Sequence, residues 1–149
     1  MTASLSSQSE SALNAGQAYQ QALQLTLRKA MSCHEANQLP DAEQLYQAVL
    51  QAQPEHAEAN HNLGVLKLEM LQAEASLPYF EAALAAMPES QRYWLSYINA
   101  LILAGQNELA QRTLAFGREH GLDGDAVEVL TKIIEANLMA MRPSDAHGV

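Results

Sequence analysis

Two prolines, Pro54 and Pro88, stand 34 residues apart, and the same spacing carries other residues with it. A shift of 34 takes Tyr46 to Phe80, Val49 to Ala83 and Leu50 to Leu84. It also takes Ala30 through Gly64 to Ile98, and Ala42 through Ser76 to Ala110. Recurrence at this period marks stacked supersecondary units, none of which can bury its apolar face alone. Breaks at Asn37–Pro40, Leu71–Gln72 and Gly105–Gln106 divide each unit into two segments, each long enough for about three to five helical turns. Ala, Leu, Gln and Glu are plentiful and aromatics make up only 5%, a composition that favours helix over strand. An all-α chain is expected.

The repeat has a mechanical meaning. Each unit reads as a helix A, a turn and an antiparallel helix B. Where the two cross, a small residue is needed: Ala30 or Gly64 on helix A, Ala42 or Ser76 on helix B. Bulk around the crossing comes from Tyr46, Leu63, Phe80, Trp94, Tyr97 and Leu101, while Ala83 and Gly117 late on helix B leave room for the next helix A. Pro54 and Pro88 close their units, since proline cannot continue a helix but can open one.

This pattern resembles the tetratricopeptide repeat, a helix–turn–helix unit of 34 residues, in three copies over about residues 23–122. The middle copy, 57–90, matches best, with Leu63-Gly64, Ser76, Phe80, Ala83 and Pro88 at the family spacing. The first, 23–56, keeps Ala30, Ala42, Tyr46, Val49 and Pro54 but carries Thr26 and Cys33 at positions where larger residues are usual. The third, 91–122, keeps Trp94, Tyr97, Leu101, Gly105, Ala110 and Leu114, with Ile98 at the small position and Leu122 in place of the closing proline. The resemblance implies a right-handed α-α superhelix of three helix-turn-helix repeats.

An array needs polar ends. After Gly121, a capping helix is expected over about 124–141, with Asp123 or Asp125 as N-cap and Glu128 completing a capping box. Val127, Leu130, Ile134, Leu138 and Met141 share one face of it, and Glu128, Lys132 and Glu135 lie off that face. Residues 12–22 read as an N-terminal extension of the first helix A, so that 12–142 forms one domain. The serine-rich stretch 1–11 reads as a flexible tail, and so do residues 143–149.

Charge and spacing exclude several functions. The net charge of −9 opposes nucleic-acid binding, which rests on clustered Lys and Arg. No apolar stretch is long enough to span a membrane. No positive charge precedes Arg28 and no signal-peptide core is present, so a cytoplasmic location is expected. Cys33 is the lone cysteine and reads as a small buried residue. His56 and His61 are spaced poorly for a shared metal, and Cys33 and His34, as helical neighbours, diverge by about 100°. No catalytic, cofactor or metal site is expected.

The helix A faces of such a stack line a groove, and the binding residues are sought there. The first repeat offers Leu27, Arg28, Met31, His34 and Glu35; the second offers Glu58, His61, Asn62, Val65, Leu68 and Glu69. Arg92, Leu95, Ser96, Asn99 and Ile102 come from the third. The family resemblance implies that Asn62 contacts a peptide backbone, which an amide suits because it both donates and accepts. The family's clamp for a C-terminal carboxylate needs Lys and Asn where Leu27 and Met31 stand, and a basic residue where Ser96 stands, so that mode is rejected. Six glutamates against one lysine between residues 55 and 89 hint at a basic partner, or are a solvated face.

The expected function is a non-catalytic adaptor or scaffold that binds a peptide or partner protein. The third repeat and cap also look like the N-terminal repeats of bacterial SPINDLY and O-linked N-acetylglucosamine transferase relatives. That resemblance implies, as an alternative, a substrate-recruiting module of a glycosyltransferase. A self-associating assembly scaffold is the other alternative.

Overall fold

Residues 2–143 are described by the computed structural model, and they form seven α-helices and no strand. These are α1 (Thr2–Glu35), α2 (Leu39–Ala52), α3 (Ala57–Glu69), α4 (Ala73–Ala86), α5 (Gln91–Leu103), α6 (Asn107–Glu119) and α7 (Asp125–Met141). Three A/B hairpins, α1–α2, α3–α4 and α5–α6, stack in order, and α7 packs on α5 and α6. Successive A helices touch one another, α1 to α3, α3 to α5 and α5 to α7. Among the described residues no contact joins α2 to α4 or α4 to α6. A stack that is closed along one edge and open along the other curves toward the closed edge. The A helices therefore line the inner wall of an α-α superhelix.

Local chemistry repeats with the same period. Asn37, Leu71 and Gly105, each 34 residues after the last, all take left-handed φ values of 60°, 60° and 78°. Each ends its helix A in the same double closure: the Gln38, Gln72 and Gln106 amides reach back to the Cys33, Lys67 and Leu101 carbonyls. At the other boundary, the His56 side chain accepts from the Ala59 amide and Ser90 accepts from the Tyr93 amide, capping α3 and α5. Asn60 Nδ2 donates to the Pro54 carbonyl at 3.0 Å, and Trp94 Nε1 donates to the Pro88 carbonyl at 2.7 Å.

The crossings are as tight as the small residues suggest. Ala30, Ala42, Ser76, Ala83, Ile98 and Ala110 are all fully buried. A Cβ on Gly64 would lie 2.8 Å from the Phe80 ring. Gly117 is packed against Leu122 and Trp94, so Leu122 at the position of the missing third proline plugs the gap under α6.

Three expectations about the ends need correction. Residues 2–11, read as a flexible tail, belong to α1, which runs unbroken into residues 12–35. Residues 6–22 are all exposed, so no apolar periodicity is required of them. The capping box of α7 does not form either. Gly124, with φ 107°, is the N-cap, and Glu128 instead pairs with Arg118 at 3.0 Å. Asp125 and Glu128 still sit in the first turn, where the helix dipole favours negative charge. Of the predicted α7 face, Val127, Leu130 and Ile134 are buried and Leu138 half-buried, whereas Met141 is exposed. Of the expected tail over 143–149, residues 144–149 lie outside the described residues.

Carried on by 34 residues, Trp94, Tyr97, Ile98 and Leu101 of α5 correspond to Glu128, Thr131, Lys132 and Glu135 of α7, a polar row. Glu128 and Thr131 of that row bond to Arg118 of α6. No helix among the described residues is long and apolar enough to cross a membrane.

Candidate functional site: the inner groove

The A–A contacts that curve the stack also decide how deep each groove residue lies. Leu27, expected in the groove, is a core residue at 6% exposure, packed with Ala30, Tyr46 and Leu63. The reason is that α3 lies over it. His61 and Asn62 are sunk as well, at 3% and 8% exposure. Met31, His34, Val65, Leu68, Leu95, Ser96 and Ile102 are half-buried, and Arg28, Glu58, Glu69, Arg92 and Asn99 are exposed. The predicted set thus separates into a floor, walls and a rim.

Two histidines bridge neighbouring A helices, each to a residue 35 positions on. His34 Nε2 lies 2.6 Å from the Glu69 carboxylate and Nδ1 lies 3.1 Å from the Tyr46 hydroxyl. The carboxylate can only accept, so Nε2 carries the proton and Nδ1 accepts from Tyr46. His61 Nε2 lies 2.8 Å from Ser96 Oγ, and the Arg92 guanidinium approaches Nδ1 at 3.3 Å. Because the guanidinium can only donate, the neutral ring offers Nδ1 as acceptor and donates from Nε2 to Ser96. The His61 ring stacks on Tyr93, with centroids 4.7 Å apart, and meets the edge of Phe80. Burial first, and Arg92 second, push its pKa down to about 4, against a raising contact from Asn62.

A cavity of about 510 Å³ opens between α1 and α3. Met31 and Leu39 give it apolar wall, Glu35 and Glu69 line it with carboxylates, and His34, Asn37, Tyr46 and Asn62 complete it. Asn62 makes one close approach, from its carboxamide to His61 Nδ1 at 3.4 Å; because Nδ1 accepts, the amide meets it with one N–H and keeps its other N–H and its carbonyl oxygen uncommitted. A nearly buried amide with one spare donor and a free acceptor, facing an open cavity, is equipped to hold a polar group from outside. Burial, followed by the charges of Glu69, Glu58 and Glu35, raises the Tyr46 hydroxyl to a pKa of about 12. The field in the cavity is therefore negative. Among the described residues no three His, Cys, Asp or Glu side chains gather as metal ligands.

Sequence reasoning missed five positions of the groove. Tyr46 reads as core bulk, and it is buried, but its hydroxyl reaches the cavity; Asn37 and Leu39 read only as a turn. On α7, Val129 and Ile133 are 56% and 40% exposed. A shift of 34 from Leu95 and Asn99 reaches them, so the repeat register, carried one step into the cap, would have found both.

The sequence matches no protein-family model and no curated protein. Solved structures do match the fold. The first tetratricopeptide domain of Spaghetti (RPAP3), bound to the HSP90 peptide SRMEEVD, is 14% identical with a TM-score of 0.68, over 78% of this chain and 93% of that one. The TPR2B domain of yeast Sti1 in its pHsp70 complex is 14% identical with a TM-score of 0.66, covering 79% and 97%. The Yersinia enterocolitica type III secretion chaperone SycD, in complex with a peptide of the translocator YopD, is 16% identical with a TM-score of 0.64, covering 80% and 92%. The fold is that of a tetratricopeptide domain.

Proposed function

We propose that this chain is a non-catalytic adaptor that binds a peptide or an extended segment of a partner protein in its inner groove. The observation that carries the reading is the Asn62 amide, nearly buried on the groove floor with one N–H and its carbonyl oxygen uncommitted beside an open cavity. Such a group can hold a peptide carbonyl without reading a side chain. The similar structures that hold HSP90, pHsp70 and YopD peptides support a groove of this kind. The occupant differs from an acidic C-terminus: Leu27 is buried and Met31 is apolar where a carboxylate clamp needs donors, and Glu35, Glu58 and Glu69 repel a carboxylate. A basic partner fits this lining better. Recruitment of a substrate for a glycosyltransferase, implied by the wording of the third repeat and cap, is a narrower form of the same groove reading.

The test is direct. Peptides selected on the protein from a library of random decapeptides should lose at least about tenfold in affinity on Asn62→Ala, as expected for losing a well-placed hydrogen-bond pair. Thermal stability should change by no more than about 1 kcal/mol, since the protein bond lost is the long one to His61. Unchanged affinity would remove the groove assignment.

A further inference from the structure

The groove changes character along its length, and the change defines the occupant more closely. We propose that the α1–α3 cavity holds a lysine or arginine side chain of the bound peptide, while apolar side chains about six residues away lie against α5 and α7. This rests on the groove reading above and adds the two anchors and the distance between them.

The first anchor is set by what lines the cavity. Glu35 and Glu69 offer carboxylates to a cation, and Met31 and Leu39 offer apolar wall to its aliphatic stem. His34 engages one oxygen of Glu69 and leaves the other free. Glu35 has no hydrogen bond or ion pair. The cations of the neighbouring helices do not neutralise them. Lys67 is paired with Glu43, Arg92 is turned to His61, and Arg28 and Lys29 lie nearly two turns before Glu35, about 9–10 Å along α1, with no ion pair to it. Behind the carboxylates, the Asn62 amide, 8% exposed, supplies its spare donor for the peptide backbone.

The second anchor follows from which face of α7 is apolar. One row of α7 carries Glu128, Thr131, Lys132 and Glu135, and the first two bond to Arg118 of α6. Its groove row, by register, instead carries Val129 and Ile133, exposed at 56% and 40%, and the groove row of α5 carries the half-buried Leu95 and Ile102. A cap that is polar on one row and apolar on the other is shaped for something to cover the apolar row. The anchors lie two A-to-A spacings apart, about 18 Å at 8–10 Å each, which an extended peptide spans in roughly five or six residues.

Selection from a random decapeptide library tests both anchors. The expected pool carries Lys or Arg five or six residues from apolar side chains. A peptide from it should bind Glu35→Gln/Glu69→Gln about tenfold more weakly, with the difference shrinking in high salt. Val129→Ser/Ile133→Ser should weaken it by a similar factor. Circular dichroism should be unchanged in both variants, whose altered side chains are exposed. A pool without basic residues, or one indifferent to the glutamate variant, overturns the cation anchor; if Asn62→Ala still weakens it, the groove reading survives. Indifference to the α7 variant overturns the apolar anchor. Absence of any enrichment over an unrelated immobilised protein overturns both the anchors and the groove reading.

Discussion

Gly64→Ala adds one methyl group where α3 crosses α4, and two opposing effects decide its sign. Alanine in a helix interior is worth up to about 1 kcal/mol over glycine. The new Cβ, however, would lie 2.8 Å from Phe80 Cε1, 2.9 Å from Cζ and 3.0 Å from Cδ1. Carbon atoms rest comfortably at about 3.5–4.0 Å, so the ring must retreat by roughly 0.7 Å. It has nowhere cheap to go. Phe80 is 1% exposed, and its edge meets His61, which is itself held by Tyr93 and Ser96. Overpacking of this kind costs about 1–3 kcal/mol, which exceeds the propensity gain. The net expectation is a loss of about 1 kcal/mol, or roughly 2–4 °C in Tm. Urea unfolding should be followed by circular dichroism and by the fluorescence of Trp94, because stacked repeats need not unfold in one step. Gly16→Ala is the control: nothing lies within 4 Å of its Cβ, so it should not destabilise. Adding Phe80→Leu to Gly64→Ala should recover part of the clash, giving a coupling of about 1 kcal/mol between the two sites. A Gly64→Ala protein more stable than the parent would refute the crossing argument.

Leu71 is 93% exposed with φ 60°, so Leu71→Gly should stabilise by about 1 kcal/mol in thermal unfolding, by relieving left-handed strain on a side chain that packs against nothing. The His61 pKa falls from 6.5 to about 4 on folding, so the unfolded chain binds more protons between those values. Stability should therefore rise with pH across that window, by about 3 kcal/mol at most, and be level in this respect above and below it. His61→Leu, which installs the residue of Leu27 and Leu95, should flatten that part of the urea midpoint–pH profile. Trp94→Phe should cost about 1 kcal/mol by denaturant titration, because it removes the Nε1 bond to the Pro88 carbonyl while keeping most of the ring.

The fold was legible where a contact demands a particular size. Ala30, Gly64, Ala42, Ser76 and Ala83 are small because backbones meet there, and the prolines mark unit ends because no other residue ends a helix so bluntly. It was less legible where unlike residues do the same work. Asn60 and Trp94 make the same bond to successive proline carbonyls, and Asn37, Leu71 and Gly105 adopt one backbone conformation, yet the pairs share no obvious chemistry. Residues 2–11 were misread because periodicity reports burial, whereas Ala, Ser and Gln can continue a helix that nothing covers.

The candidate site divides along the same line. Helical phase told which side chains point toward the groove, since that is a property of one helix. Depth is a property of two. Leu27 and Asn62 share a groove phase with exposed Arg28 and Glu58, but each lies under or beside the neighbouring A helix, 35 residues away in sequence. The same closeness that sinks Leu27 into the core gives Asn62 a cavity instead of bulk solvent, with carboxylates from both helices around it. The stack's curvature therefore does more than shape a groove. By drawing A helices together it gathers scattered polar residues of separate repeats around one cavity, where a nearly buried amide sits behind two glutamates at the rim.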